Sequence, residues 1–352
     1  MNLASMTPIA IFTLLNVAMA LGLYVTALSG QLSMATAAIA GVGGYLAAVL
    51  TVNFGWAFVP AILMGAVGGA LVGALLALVT LKMRDFILKL TTLAFGEALS
   101  VLAFNWDYIG GANSFAGIGL KTNVWTALAA ALIALYVAWR FDGSRLGFAC
   151  RAVRDDPLAA SAMGVSIAQV RTVSFALGAA LVGMAGAIQA HYVLVISPHD
   201  LGFFVSLNFI IFLLFGGLQT LWGPVLGAVL LTVLPEFLRF TNEFRLILYG
   251  LIIVVVVLRR PEGLLTRVPT GRAIGLFGHV LVPARTVAET PASQRSRLLP
   301  VSLRRGLDDV MLAAAKTRTG LSFMAHPENG TPTVPQRGRV GVNTQAPNES
   351  GD

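Results

Sequence analysis

Residues 56–81 read WAFVPAILMGAVGGALVGALLALVTL, a continuous apolar run that contains no Asp, Glu, Lys or Arg. The run ends a longer uncharged segment, because none of these four residue types occurs between Met1 and Leu81. In a water-soluble protein about a quarter of the residues are charged. Only 11% of this chain is charged and 57% is hydrophobic. The composition therefore predicts that lipid surrounds this part of the chain.

The apolar runs predict membrane-spanning α-helices. A segment in hydrocarbon must satisfy its own backbone, so it is either a helix or a strand of a closed barrel. The runs are continuous, and their lengths are close to the length of a spanning helix, about 20 residues. The strands of barrels are shorter and alternate between apolar and polar residues. We therefore expect an all-α, polytopic transmembrane helix bundle with about eight to ten spans. The candidate spans are Ile9–Leu28, Ser33–Val52, Trp56–Leu81, Leu90–Asn105, Trp125–Trp139, Val173–Val195, Phe203–Phe215, Val225–Leu238 and Leu246–Leu258.

The composition changes abruptly after Arg267, which divides the chain into two parts. Residues 1–267 form the predicted transmembrane domain. Residues 268–352 are rich in Pro, Thr, Ser, Gly and Arg and poor in large apolar residues. Such a segment cannot bury enough apolar surface to offset the entropy of ordering. We expect a disordered cytoplasmic extension.

Basic residues cluster in three short loops. The clusters are Lys82, Arg84 and Lys89; Arg140, Arg145, Arg151, Arg154 and Arg171; and Arg259, Arg260 and Arg267. Cytoplasmic loops of membrane proteins carry an excess of Lys and Arg. Even numbers of predicted spans separate the clusters, so all three are expected in the cytoplasm. The formal net charge of +8 thus indicates orientation and not nucleic-acid binding.

Small residues recur at the spacing of helix-packing stripes. One stripe is Gly65, Gly69 and Gly73, and the other is Ala179, Gly183 and Ala187. Helices in lipid associate where small side chains let their backbones approach closely. The stripes predict a packed bundle, which any protein with many spans would share.

Gln31 and Ser33 lie beside Gly30, between two apolar stretches. A discontinuous helix fits this pattern, since its free N–H groups could face a substrate carboxylate. An ordinary turn at the membrane surface fits equally well. We take Gln31 and Ser33 as candidate substrate-pathway residues.

Glu97 is the acidic residue deepest inside a predicted span. A carboxylate within a membrane is a candidate functional group because burying its charge unpaired is costly. A structural hydrogen bond to a neighbouring helix is the favoured alternative. His191 and Glu236 are predicted near helix ends, where such side chains reach the interface.

Residues 151–164 predict a short helix within a basic loop. Asp156 is a good N-cap, Pro157 suits the first helical position, and Gly164 suits a left-handed helix end. The small residues Ala159, Ala160 and Ala162 leave a slim surface flanked by Leu158 and Met163. Docking into a groove of another protein and resting on the membrane surface are equally consistent with these residues.

The same segment looks like the cytoplasmic coupling loop of ABC-importer permeases, whose Glu-Ala-Ala and Gly pattern is echoed by Ala159, Ala160 and Gly164. Seven further motifs occur in order and resemble LivM-type permeases of branched-chain amino acid importers. They are Ser29-Gly-Gln-Leu-Ser33, Thr91-Thr-Leu-Ala-Phe-Gly-Glu97, Gly110-Gly111 with Asn113, Ala190-His-Tyr192, Gly216-Gly-Leu218, Leu221-Trp-Gly-Pro-Val-Leu-Gly227, and Arg260-Pro261 with Gly263-Leu264-Leu265.

This resemblance, from about Leu14 to Leu265, implies an inner-membrane transport subunit that is not an enzyme and needs no cofactor or metal. It implies three kinds of protein partner for the lipid-embedded chain: a second homologous permease, two cytoplasmic ATPase subunits and an extracytoplasmic substrate-binding protein. Coupling to the ATPase would fall to Asp156, Pro157, Ala159, Ala160 and Gly164. The implied substrates are leucine, isoleucine and valine, or urea or short amides as in related permeases.

Two features depart from the family pattern. The family commonly has Gly-His where this chain has Ala35-Thr36, so any role of that His is absent. The segment after Leu265 is longer than the usual family ending and holds no phosphate-binding Gly-rich loop. No ATPase is therefore expected within the chain.

Two other classes of protein are alternatives. An ion-coupled secondary transporter usually needs several ionisable groups within the membrane, and this chain offers only Glu97. An intramembrane enzyme needs a convergent set of His, Asp, Cys or metal ligands, and no such catalytic set is visible. The lone Cys150 excludes an intramolecular disulfide.

Overall fold

A computed structural model describes residues 3–83, 85–238, 244–260 and 263–265. These residues fold as the predicted all-α bundle, whose strand-like pairing is limited to one bridge between Phe115 and Ile196. Residues 268–352 lie outside the described residues, so the disordered cytoplasmic extension stays a prediction. The described helices are α1 (Leu3–Ala27), α2 (Thr36–Val52), α3 (Phe58–Thr80), α4 (Asp85–Phe104), α5 (Val124–Asp142), α6 (Arg145–Asp155), α7 (Pro157–Ala162), α8 (Ile167–Val193), α9 (Phe203–Gly216), α10 (Trp222–Phe237) and α11 (Arg245–Arg259).

Each predicted span coincides with one of these helices, but their lengths differ. Five helices are long and apolar enough to cross a membrane, namely α1, α3, α4, α5 and α8. The helices α2, α9, α10 and α11 are apolar and shorter. The predicted eight to ten crossings therefore exceed the number that length and composition support by themselves.

Helix α8 packs against α1, α2 and α3 and forms the centre of the bundle. The two small-residue stripes meet here, with Gly69 against Gly183 and Gly73 against Ala179. A Cβ added at Gly69 would lie 2.6 Å from the carbonyl oxygen of Ala179, which is closer than the atoms can approach. The predicted packing role of both stripes is confirmed.

Three backbones converge at Gly183. A Cβ at this position would lie 2.6 Å from the carbonyl oxygen of Gly65 and 3.0 Å from the Cα of Gly69 on α3. A Cβ at Gly43 on α2 would lie 2.6 Å from the Cα of Gly183. Dispersion forces between such closely packed backbones hold helices together in lipid.

Two of the basic clusters lie at the same end of the bundle. The guanidinium of Arg171 donates a hydrogen bond of 3.0 Å to the carbonyl of Leu81, directly before Lys82. The side chain of Arg154 packs on Gly30, just after the end of α1. The end of α1, the end of α3 and the beginning of α8 are therefore neighbours.

Helix α10 runs antiparallel to α1. The amide of Asn16 donates a hydrogen bond of 3.0 Å to the hydroxyl of Thr232. Pro8, earlier on α1, and Pro235, later on α10, line one common cavity. The beginning of α10 therefore lies at the same end of the bundle as the end of α1.

The third basic cluster belongs to this end as well. The N–H of Leu264 donates a hydrogen bond of 2.9 Å to the carbonyl of Phe215, close before the beginning of α10. All three clusters thus share one end of the bundle, as the predicted topology requires. We call it the basic end; it carries Lys82, Lys89, Arg154, Arg171, Arg259 and Arg260.

The basic end is expected to face the cytoplasm, because Lys and Arg are retained on that side. The test uses Gly143→Cys at the basic end, outside α7, and Ala116→Cys at the opposite end, two exposed positions. On intact cells an impermeant maleimide should label the cysteine at 116. The cysteine at 143 should react only after the cells are permeabilised.

The native Cys150 gives little background in this experiment. It is fully buried, and burial raises the pKa of its thiol, so the reactive thiolate is scarce near neutral pH. Labelling of intact cells at 143 but not at 116 would invert the topology.

Candidate functional site at a helix break

The chain breaks its helical path between α1 and α2. Residues 28–35 lie between the two helices, and Gly30 has a φ of +83°, a conformation that favours glycine. Gln31 is 0% exposed and Ser33 is 1% exposed. Irregular backbone within a membrane bundle is tolerated where protein surrounds it. Protein therefore surrounds the residues between the two helices, and the substrate-pathway role of Gln31 and Ser33 stays a prediction.

The side chain of Gln31 is buried without partners. Neither its Oε1 nor its Nε2 makes a hydrogen bond within the described residues. Leaving a buried polar group unsatisfied costs about 1–3 kcal/mol. Its amide is therefore a group that a water molecule or a ligand would satisfy.

Side-chain hydroxyl groups accept hydrogen bonds from backbone N–H groups at and just before the beginning of α2. Thr92 on α4 accepts from the N–H of Met34 at 3.0 Å. Ser33 accepts from the N–H of Ala35 at 3.1 Å. In the same way Ser206 on α9 accepts from Ala37 at 3.0 Å. These N–H groups are engaged, so they are not free for the substrate carboxylate that the sequence suggested.

Glu97 lies on an exposed face of α4 and not in the bundle interior. Its Oε1 accepts a hydrogen bond of 2.7 Å from the N–H of Phe203, the first residue of α9. A carboxylate at a helix N-terminus satisfies a free N–H group and complements the helix dipole. Its neighbour Gly96 faces the break instead, since an added Cβ there would lie 3.8 Å from the Cα of Ala35. This geometry supports the structural alternative for Glu97.

The short helix α7 has the predicted ends. The side chain of Asp156 accepts hydrogen bonds from the N–H groups of Leu158 at 2.9 Å and Ala159 at 3.0 Å. Pro157 is the first helical residue, and Gly164 has a φ of +84°. The local signals for the N-cap, the first position and the left-handed end are confirmed.

One part of the prediction for α7 is wrong. The sequence predicts Ala160 on the slim exposed surface, but this residue is only 5% exposed and packs within its own chain. Adjacent helical residues point about 100° apart, so Ala159 faces outward when Ala160 faces inward. Leu158 is 80% and Met163 is 84% exposed. The α7 surface consists of Leu158, Ala159, Ala162 and Met163.

An ion pair fixes α6, the helix before α7, to the bundle. Arg151 on α6 pairs with Asp142 at the end of α5, and the Tyr24 hydroxyl on α1 donates to the same carboxylate at 3.1 Å. The side chains of Arg151 and Asp142 are 17% and 12% exposed. Removing one partner of such a pair typically costs about 3–5 kcal/mol. Helix α6 therefore follows α1 and α5 as one unit.

The same helix also contacts the break directly. A Cβ at Gly30 would lie 3.3 Å from the Cγ of Arg154 on α6. The sequence identified Arg154 only as a charge that sets orientation. No local pattern indicates this contact, because the two residues are far apart in the chain. A displacement of α6 would press on the backbone beside Gln31.

Comparison with known proteins extends this description. The sequence matches a family described as the permease component of branched-chain amino acid transport systems, over residues 5–257. The match includes the break, Glu97 and α7. The chain belongs to this permease family. It is therefore a multi-pass membrane protein.

Curated relatives are also named as permeases of branched-chain amino acid transport. The permease is 28% identical to the high-affinity branched-chain amino acid transport system permease protein LivM of Salmonella typhimurium, over 73% of this chain and 69% of the relative. It is 27% identical to the corresponding protein LivH of that organism, over 47% of this chain and 54% of the relative. A probable LivM of Methanocaldococcus jannaschii is 25% identical over 59% of this chain and 68% of the relative. No solved structure matches significantly.

The hydrogen bond of Glu97 in this permease predicts a difference between two substitutions. In Glu97→Gln the amide oxygen can still accept from Phe203, so most assembly and uptake should persist. In Glu97→Leu the N–H of Phe203 loses its acceptor, which should destabilise the chain by about 1 kcal/mol. Thermal unfolding in detergent and uptake into cells measure the two effects. A Gln variant that assembles normally yet loses uptake would indicate a charge-dependent role.

Proposed function

We propose that this chain is one of two permease subunits of an ABC importer in the bacterial inner membrane. It moves branched-chain amino acids such as leucine, isoleucine and valine into the cytoplasm, and it performs no bond chemistry. Its partners are a second homologous permease, two cytoplasmic ATPase subunits and an extracytoplasmic binding protein. Support comes from the family match and from relatives named as permeases of branched-chain amino acid transport systems.

The observation that carries the proposal is the α7 surface. Two large apolar side chains, Leu158 and Met163, project from a basic loop with Ala159 between them. Exposed apolar groups that cluster on a polar surface indicate a contact with another protein. The small Ala159 lets the helix backbone approach the floor of a groove. The proposed groove lies on an ATPase subunit that binds at the basic end.

The connections of α7 suggest how ATP hydrolysis drives transport. Closure of the ATPase subunits moves α7 and therefore α6, which is tied to α1 and α5 through Asp142. Arg154 carries the displacement to Gly30 and the break. The permease then changes its population of inward-facing and outward-facing states, because the closed ATPase binds one of them more strongly.

Co-purification from the native membrane tests this proposal. The tagged chain should bring down a homologous permease, an ATPase and a binding protein. In proteoliposomes this complex should take up leucine only when ATP is on the ATPase side and the binding protein is on the other. Recovery of the chain alone, with uptake driven by a proton gradient, would identify a secondary transporter instead.

The same vesicles decide the substrate class. Leucine, isoleucine and valine should compete with one another for ATP-driven uptake. Uptake of urea or a short amide in place of leucine would assign the chain to a related substrate and leave the importer mechanism intact.

A further inference from the structure

A cavity of about 270 Å³ lies between α1, α2, α8 and α9. Its lining includes Ala190 and Val193 at the far end of α8 and Val195 just beyond that end. It therefore lies toward the end opposite the basic end, on the proposed extracytoplasmic side. Pockets for drug-sized ligands measure about 300–1,000 Å³, so this cavity fits a smaller metabolite.

The walls of the cavity combine an apolar surface with two polar side chains. The apolar part includes Phe12, Met19 and Phe209, and the polar side chains are Gln189 and Asp200. Sites for small molecules are commonly built this way, with a few polar groups that fix orientation. The apolar wall suits an aliphatic group.

Asp200 is an exposed residue at the edge of this cavity, and it supplies a negative charge there. Its Oδ2 accepts a hydrogen bond of 3.0 Å from the N–H of Ser197. Among the described residues, Arg side chains pair with Asp142 and Asp155, and Asp200 takes part in no ion pair. A carboxylate without a cationic partner at a cleft attracts a cation from solution. The chemistry of this wall thus selects a positively charged group.

Close packing of two helices forms a rigid part of the wall. A Cβ at Gly44 on α2 would lie 3.2 Å from the carbonyl oxygen of Gly186 on α8 and 3.3 Å from the Cδ1 of Ile196. The two backbones are already in close contact. Gly44 has no side chain, so this part of the wall cannot change through a change of rotamer. A preformed wall lowers the entropy that a ligand loses on binding.

We propose that this cavity binds a small primary amine with an apolar body, the class to which aliphatic amino acids belong. The carboxylate of Asp200 accepts hydrogen bonds from the ammonium group. Phe12, Met19 and Phe209 contact the aliphatic part. The inference deepens the proposed function, on which it rests for the choice of substrate. Urea and neutral amides carry no charge for Asp200, so the cavity distinguishes the two substrate classes.

Protection of a cysteine from alkylation tests the cavity without requiring transport. The Val205→Cys chain, in lipid nanodiscs with all subunits that co-purify, is treated with a small maleimide. Leucine and isoamylamine should slow the reaction, whereas the neutral isocaproamide should need at least about tenfold higher concentration. A charged hydrogen bond contributes enough binding energy for such a ratio.

Two matched variants assign the effect to one carboxylate. In Asp200→Asn the amide oxygen can still accept from Ser197, so the local turn should persist while the tenfold preference disappears. Asp107→Asn removes a carboxylate from a loop that does not line the cavity, and it should keep the preference. Equal protection by isocaproamide, no protection by any compound, or a preference that survives Asp200→Asn would overturn the inference.

The results also separate this inference from the proposed function. Protection in a preparation that shows no ATP-driven uptake would uphold the cavity and reject the importer. ATP-driven leucine uptake without protection would uphold the importer and reject the cavity.

Discussion

Substituting Arg for Ala159 is expected to abolish ATP-driven uptake while the chain still inserts into the membrane. Ala159 is exposed between Leu158 and Met163, so a long side chain there would hold the α7 surface away from a groove. A charge buried in such an interface without a partner costs about 3–5 kcal/mol. Binding of the ATPase should therefore weaken by about a hundredfold or more.

The measurements are ATPase recovery with the purified chain and leucine uptake into proteoliposomes. Ala116→Arg is the matched control, because it adds the same charge at an exposed position of the opposite end. Ala160→Arg would not be informative, since this buried residue would disrupt the loop itself. Full ATPase binding by the Ala159→Arg chain would reject the docking role of α7.

A single methyl group at Gly183 is expected to prevent the bundle from packing. In Gly183→Ala the new Cβ would overlap the backbones of Gly65 and Gly69 on α3. Backbone atoms cannot rotate away as a side chain does, so the helices must separate. Overpacking of a core typically costs about 1–3 kcal/mol, and here the separation also disturbs α2 at Gly43.

Gly250→Ala provides the control on α11. A Cβ there has no atom within 4 Å in the described residues, and Ala is favoured over Gly in a helix interior by about 1 kcal/mol. Accumulation in the membrane and thermal unfolding in detergent should fall for the Gly183 variant and stay unchanged or rise for the Gly250 variant. Equal behaviour of the two variants would contradict the close crossing.

Features encoded by neighbouring residues could be predicted from the sequence. The ends of α7 follow from Asp156, Pro157 and Gly164, which act on backbone groups within one or two turns. The stripes on α3 and α8 follow from a spacing of four residues. The pairing of one stripe with the other could be seen only in the structure. The spacing of small residues along one helix does not show which other helix packs against it.

Features that join distant segments could not be predicted in this way. The contact of Arg154 with Gly30 and the hydrogen bond of Glu97 to Phe203 depend on how separate helices pack. The position of Asp200 at the edge of a cavity likewise follows only from the packing of four helices. In each case the residue is visible in the sequence, but its surroundings are not.

The expectation that His191 reaches the membrane interface is wrong. Its side chain is 0% exposed, with Nδ1 lying 2.8 Å from the carbonyl oxygen of Ala187 and Nε2 lying 3.1 Å from the hydroxyl of Thr51. Position near the end of α8 suggested exposure. The helix is long enough that α2 and α3 still surround it there.

The contacts of α1 determine the order in which this protein can be assembled during synthesis. This helix leaves the ribosome before the other described helices, yet Tyr24 hydrogen-bonds to Asp142 on α5, and Asn16 hydrogen-bonds to Thr232 on α10. Its packing surface for α8 and α10 stays uncovered until those helices are inserted. Membrane helices insert individually and associate afterwards. Helix α1 therefore lies in the lipid without these contacts until α8 and α10 have been synthesised and inserted. A chain that stops before α10 therefore displays an incomplete α1 surface to the quality-control proteases of the membrane.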